Sequence, residues 1–276
     1  MDLANIWVLT HKELRDAHRN RWFVLYSAAF AALALALAGL GLSGAGNYGF
    51  AGLGRTGASL INLVLLIVPL MGLSLGAFSL AGERERGTLL YLLAQPVTQL
   101  EVLMGKYLGL ALALSGALTL GFGLSGLWIA WQGGAASTRG YLTLVTLAYL
   151  LALASLSLGF LLSAIVRKGA TAIGLALFVW LALVFFGDLG LMGTALTLRL
   201  KADVLLGLAL LNPLQVFKMA AILTIKSSLE VLGPAGLYAL RMYGARLMPL
   251  LLTILMAWVL IPMSLTYLIF RQRGAL

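Results

Sequence analysis

The chain has 276 residues, 62% of them hydrophobic and only 10% charged, with a net charge of +10. A soluble domain is nearer half apolar and a quarter charged, so the composition excludes an ordinary water-soluble fold. There is no cysteine, which excludes disulfides, iron–sulfur clusters and thiolate zinc sites within the chain. The positive charge reads as lysine and arginine held at one membrane face, not as a nucleic-acid surface.

Residues 1–21 come first. Leu3, Ile6, Trp7, Thr10 and Leu14 recur at helical spacing, while His11, Lys12, Glu13, Arg15 and Asp16 face elsewhere. That pattern predicts a helix lying in the membrane interface. The apolar run that follows is about 20 residues, longer than the 7–15 or so of a signal-peptide core, and is read as an uncleaved first span.

Six spans are expected: Trp22–Gly41, Leu60–Ala81, Val102–Trp131, Tyr141–Val166, Gly169–Gly187 and Leu247–Phe270. About 20 apolar residues cross a bilayer. All must be helices, because lipid offers no partners to an open sheet edge. The fold class is therefore an all-α integral membrane protein, forming a single transmembrane domain over residues 1–276. Short loops on one side carry Lys12, Arg15, Arg19, Arg21, Arg84, Arg86, Lys106, Arg167, Lys168, Arg271 and Arg273; those on the other carry only Arg55 and Arg139. The richer side is cytoplasmic by the positive-inside rule, and both termini lie there.

Residues 188–246 fit no clean span. The longest charge-free piece, Val204–Phe217, contains Asn212-Pro213 and ends at Lys218. A central lysine costs about 2.5–3.5 kcal/mol on insertion scales, against about 0.3–0.6 gained per strong apolar residue. The region reads as an extracytoplasmic insertion between spans five and six. It is expected to hold short amphipathic helices on or dipping into the outer leaflet, broken at Asn212-Pro213 and Gly233-Pro234.

The stretch Gly82–Lys106, G-E-R-E-R-G-T-L-L-Y-L-L-A-Q-P-V-T-Q-L-E-V-L-M-G-K, places dense alternating charge between two apolar runs. Gly82 is expected to end the second span. Gly87-Thr88 begins a short helix whose leucines are too few to cross the membrane, and Pro96 stops it. Thr98-Gln99-Leu100-Glu101 matches a capping box for the third span. Residues 82–98 thus read as a helix and a break lying across the membrane face, shaped for docking.

The run E-x-G-T-L-x-x-L-L-x-x-P-V, here Glu85 to Val97, followed by Lys106, resembles the signature of type-2 ABC transporter permeases. The interfacial leader, six spans and outer insertion extend that resemblance over the whole chain. The fuller run from Gly82, with L-N-P-L-Q-V-F-K-M-A-A-I at Leu211–Ile222, is similar to the Nos-type permeases. That narrower group serves maturation of the copper enzyme nitrous-oxide reductase. The resemblance implies a homodimer in the bacterial inner membrane, paired with two ABC ATPase subunits that bind ATP and Mg. It also implies that residues 82–98 contain a cytoplasmic coupling helix, with Glu83, Arg84, Glu85, Arg86, Gly87 and Thr88 facing the ATPase. A periplasmic copper-handling protein is the implied outer partner. Its contact is expected in the insertion, around Asn212, Pro213, Lys218 and Met219. Two other functions stay open at this point: an exporter of lipid or drug, and a non-transporting membrane anchor.

Other motifs weigh less. Gly105-Lys106 lacks the glycine at position 100 and the Ser/Thr at 107 of a phosphate loop, so ATP hydrolysis belongs to another chain. Gly72-Leu73-Ser74-Leu75-Gly76 matches G-x-S-x-G, but it lies mid-span and has no histidine near it. Gly72 and Gly76 read better as a close helix contact. Met192, Met219, Met242, Met248, Met256 and Met263 could in principle hold Cu(I), yet methionine is common filler, and no metal or cofactor is expected in this chain. Pro69, Pro249 and Pro262 are expected to shape spans two and six. Trp22, Trp128 and Trp131 mark span ends.

Overall fold

The computed structural model describes residues 2–43, 50–131, 138–187, 201–224 and 233–273. In chain order these form α1 (Leu3–Arg19), α2 (Arg21–Ser43), α3 (Phe50–Glu85), α4 (Thr88–Leu93), α5 (Gln99–Trp131) and α6 (Thr138–Ile165). There follow α7 (Gly169–Phe185), α8 (Ala202–Leu210), α9 (Pro213–Thr224), α10 (Gly233–Tyr243), a 3-10 turn (Gly244–Arg246) and α11 (Leu247–Arg273). No strand occurs among the described residues. Five helices are long and apolar enough to cross a membrane: α2, α3, α5, α6 and the helix ending in α11. α7 is apolar but shorter, with 17 residues, and α8 and α9 form a pair bent by 107°. The chain is an all-α, multi-pass membrane protein.

The bundle centres on α3 and α6. Small residues set their crossing. A methyl group at Gly76 would lie 2.5 Å from the Leu156 carbonyl oxygen, and one at Gly159 would lie 2.6 Å from that of Leu73. Gly72 meets Ala152 and Ser155 in the same way. Close backbone approach of this kind supplies van der Waals contact where lipid removes the hydrophobic driving force between helices. α2 lies against α5 and α3, α7 against α3, and α11 against α6.

Two expectations change at the end that carries the basic residues. First, α3 does not stop at Gly82. It runs 36 residues to Glu85, about 54 Å at 1.5 Å per residue, against a hydrocarbon core of about 30 Å. Its last turn continues past Gly82, and Glu83 within it finds the ammonium groups of Lys12 and Lys106. Second, α1 is packed against α5 as well as being amphipathic. Its buried residues are Ile6, Leu9, Thr10, Glu13 and Ala17, whereas Leu3, Trp7 and Val8 are exposed. Glu13, expected on the solvated side, faces inward. Glycines on α5 admit it: a methyl at Gly109 would lie 2.6 Å from the Glu13 Cβ, and one at Gly105 would lie 2.5 Å from the Leu9 Cβ.

At the opposite end of the bundle, the expected amphipathic helices are only partly found. Residues 188–200 and 225–232 of the insertion, Met192 among them, lie outside the described residues. α9 is a buried helix, with Leu214, Val216, Phe217, Met219, Ala220 and Ala221 each at most 3% exposed. It packs on α6, α11 and α3. Asn212, just before it, donates from Nδ2 to the Leu183 carbonyl near the end of α7 (2.7 Å). Thr224, at its other end, lies beside Gly140 at the start of α6. Both anchors sit at the end of the α6–α7 pair away from its tight turn, so α9 lies across that end.

Proline placement is as expected inside α3 (Pro69) and α11 (Pro262). Pro249 instead falls in the first turn of α11, where its missing N–H leaves no helical bond unmade.

Candidate coupling site

The charged run at the end of α3 is used residue by residue within the fold. Glu83 is 8% exposed. Its Oε1 accepts from Lys12 Nζ at 2.8 Å and pairs with Lys106 Nζ at 2.9 Å. Lys106 is wholly buried and also donates to Glu13 Oε1 at 2.7 Å. Lys12 in turn pairs with Glu13 at 3.1 Å. Two carboxylates and two ammonium groups form a neutral quartet joining α1, α3 and α5. Burial alone would lower the Lys12 ammonium pKa. The charge of Glu13 and the hydrogen bond to Glu83 outweigh it and hold the group above its ordinary value.

Arg84 turns the other way. Its Nη1 donates to the Ser163 carbonyl at 3.2 Å and to the Val166 carbonyl at 2.8 Å, which satisfies orphan acceptors at the end of α6. Ser163 Oγ returns the contact by accepting from the amides of Leu80 and Ala81. Glu85 Oε2 accepts from the Gly169 amide, the first of α7. A carboxylate there is favoured by the partial positive charge of a helix N-terminus. Adjacent residues of opposite charge therefore hold the two sides of the α6–α7 turn, one capping carbonyls and the other an amide.

Arg86 Nε donates to the Gly82 carbonyl, and its guanidinium lies 5.6 Å from the Phe78 ring centroid. Gly87 adopts a left-handed conformation, φ +72°, which glycine enters without steric cost. That residue breaks α3 from α4. Thr88 Oγ1 then donates to the Glu83 carbonyl.

The third-span start matches expectation. The Glu101 amide donates to Thr98 Oγ1 and the Thr98 amide to Glu101 Oε2, a complete capping box. Glu101 also accepts from the Asp2 amide at 2.6 Å and from Asn5 Nδ2, tying the beginning of α1 to the same point.

Of the six residues assigned to the ATPase face, Glu83, Arg84 and Glu85 are committed to contacts within the chain. Glu85 is nonetheless exposed, as are Arg86 and Thr88, and Gly87 is partly so. Two large side chains on the outer face of α4 are also exposed: Leu90 at 62% and Tyr91 at 78%. Its inner face is fixed by Leu89, which is fully buried. Sequence reasoning missed Leu90 and Tyr91 as surface groups, and missed the Glu13–Lys106 pair. Lys106, the lone cation inside an otherwise uncharged run, was the available signal for the latter.

The four residues expected at an outer docking surface are mostly interior. Asn212, Pro213 and Met219 are buried, and Asn212 is occupied twice, through Leu183 and through the Leu214 amide that its Oδ1 accepts. Only Lys218 is partly exposed. Burial against α6 and α11 is the physical reason. Among the described residues no group of three or more His, Asp or Glu could hold a metal ion.

The family model of the ABC-2 family transporter proteins matches residues 7–275. The chain belongs to the ABC-2 transporter family. Two relatives agree with this. A protein of Stutzerimonas stutzeri named "Probable ABC transporter permease protein NosY" is 32% identical, covering 98% of this chain and 99% of its own. One of the same name from Pseudomonas aeruginosa is 34% identical, covering 78% of this chain and 80% of its own. This ABC-2 permease thus resembles the NosY permeases over nearly its full length. Membership places α4, with its buried Leu89 and bare Leu90 and Tyr91, within a membrane subunit that works with separate ATPase subunits.

Proposed function

We propose that the chain is the permease of a bacterial inner-membrane ABC transporter, and that α4 receives the ATPase through Leu90 and Tyr91. The observation that carries this reading is the division of labour in residues 83–91. The charged residues Glu83, Arg84 and Glu85 make contacts inside the chain, while the large apolar side chains Leu90 and Tyr91 beside them are bare. Exposed apolar groups on a polar face mark interaction sites. Arg86 and Thr88 form the rim of the same contact. The ATPase pushes on α4, and the quartet and the Arg84–Glu85 clamp pass that displacement to α1, α5, α6 and α7 as a unit.

The kinship with NosY permeases supports a role in copper-site maturation of nitrous-oxide reductase. In that reading two copies of the chain pair with two ATPases on the cytoplasmic side and act on a periplasmic copper-handling protein. Both termini are cytoplasmic. Energy arrives mechanically, and the ATP and Mg stay with the ATPase.

The test is co-purification of the ATPase with a Leu90→Asp/Tyr91→Ala double variant. Loss of association at least about tenfold, the scale of one interface hot spot, is expected. Undiminished association would overturn the assignment of α4. The biological role is checked separately, by asking whether the chain restores copper loading of nitrous-oxide reductase in a strain lacking its own permease.

A further inference from the structure

A cleft of about 860 Å³ opens beside the quartet, where the end of α1 and the start of α2 meet the middle of α3 and the start of α7. Its upper wall is apolar, with Tyr26, Met71, Leu75, Phe78, Ile173 and Leu177. Its lower end is ionic, with Glu13, Asp16, Glu83, Arg19, Arg86 and Lys106. Each carboxylate there has a lysine beside it. Glu13 and Glu83 share Lys12 and Lys106, and Asp16 lies 3.9 Å from Lys12. Arg19 and Arg86 pair with no carboxylate among the described residues, and both are exposed. Two lysines and two arginines thus stand over three carboxylates, and the surplus positive charge falls on the arginines. Arg86 gives Nε to the Gly82 carbonyl, which leaves the two terminal nitrogens of its guanidinium as donors.

We propose that this cleft holds an acidic phospholipid, with its phosphate at Arg19 and Arg86 and an acyl chain along the apolar wall. Charge is the first argument. A phosphodiester with an uncharged headgroup, as in phosphatidylglycerol, brings the single negative charge that the surplus lacks. A zwitterionic headgroup would return a positive charge to the same rim, and a bare cation would add to the surplus. Geometry is the second. A guanidinium is a planar fork of donors that suits phosphate oxygens, and basic pockets between membrane helices on the cytoplasmic side bind acidic headgroups. The apolar wall is the third, because a soluble anion would leave it uncovered and an acyl chain covers it. The volume is within the range of about 300–1,000 Å³ usual for ligand sites, enough for the headgroup and the first part of a chain. Exposed Trp22 at the mouth is the residue that interfaces favour. The inference goes beyond the coupling function and does not depend on it, because it needs only the membrane-embedded chain.

The experiment is native mass spectrometry of the full chain, delipidated in mild detergent and given phosphatidylglycerol, phosphatidylcholine or phosphatidylethanolamine. Phosphatidylglycerol is expected to be retained at least about fivefold better than either zwitterion, the scale of one basic residue beside an anionic lipid. Arg19→Gln and Arg86→Gln should each lower that preference by about the same factor, and the double variant should abolish it. Arg271→Gln removes an exposed cation of α11 that does not line the cleft, and it should leave the preference intact. Thermal melts verify that the variants fold; all three positions are exposed, so each accepts glutamine. Soluble glycerophosphoglycerol should compete poorly, since it lacks the chain that the apolar wall buries. Equal or better retention of a zwitterionic lipid would overturn the proposal. So would a preference unchanged in the Arg19→Gln/Arg86→Gln variant, an equal loss in Arg271→Gln, or competition by the free headgroup as effective as by the lipid.

Discussion

Glu85 Oε2 lies 2.8 Å from the amide nitrogen of Gly169, so the last residue of α3 caps the first residue of α7. Gly169 is needed for this approach, because a methyl group there would come within 2.7 Å of the Phe78 ring and 3.1 Å of the carboxylate itself. Replacing Glu85 by alanine should cost about 1 kcal/mol, the usual scale for a lost helix cap. Glu85→Gln, which keeps an acceptor oxygen, should recover most of it. Thermal unfolding of the purified chain in detergent measures both. Equal losses in the two variants would mean that charge, and not the hydrogen bond, does the holding.

Lys106 is the most consequential side chain in the quartet. Its removal leaves Glu13 and Glu83 buried with less compensation, and breaking a buried pair on one side typically costs about 3–5 kcal/mol. Lys106→Ala should therefore sharply lower the unfolding temperature or the yield. A triple replacement, Glu13→Gln, Glu83→Gln and Lys106→Met, should be less damaging than Lys106→Ala alone, since no fully buried charge remains and the half-exposed Lys12 keeps Asp16 beside it. An equally damaged triple variant would show that shape, not charge, is at stake.

Gly76 and Gly159 are expected to tolerate nothing larger. Gly76→Leu forces α3 from α6, and overpacking typically costs about 1–3 kcal/mol. The readout is the fraction of monodisperse protein surviving a heating series. A neutral result would show that the two helices can slide without consequence.

Glu101 joins α5 to the beginning of α1 as well as closing its own capping box. Glu101→Ala should speed hydrogen exchange in the first turns of α1 and leave the middle of α5 protected. No change at α1 would mean that packing on Gly105 and Gly109 alone seats that helix.

Gly87→Ala tests the break between α3 and α4. A left-handed conformation costs a side chain roughly 1–2 kcal/mol, so alanine should pull α4 off its seat on Leu89. ATPase association should fall in step, and a fully coupled Gly87→Ala protein would show the turn to be uninvolved.

Much of this architecture could be read from the chain itself. Span positions follow from apolar runs, the capping box from Thr98 and Glu101, and the α3–α6 crossing from Gly72 and Gly76. These signals are local, or need only one neighbour of any kind. What could not be read depends on which distant group arrives. Glu83, Arg84 and Glu85 look like solvated docking charges until Lys106, Val166 and Gly169 are brought beside them. Glu13 looks surface-bound until α5 presents a cation between two glycines. α9 has the polar residues of a surface helix, and only the walls of α6 and α11 make it an interior one.

The 107° bend ahead of Pro213 bears on a question of parity. α9 starts beside the close of α7 and finishes beside the start of α6, both at one end of that pair, so the bent pair is expected to return to the side it came from and to add nothing to the tally of traverses. Reporter fusions at the two tails should accordingly light up in one compartment. A mismatch between them would mean that the chain threads the bilayer an odd number of times.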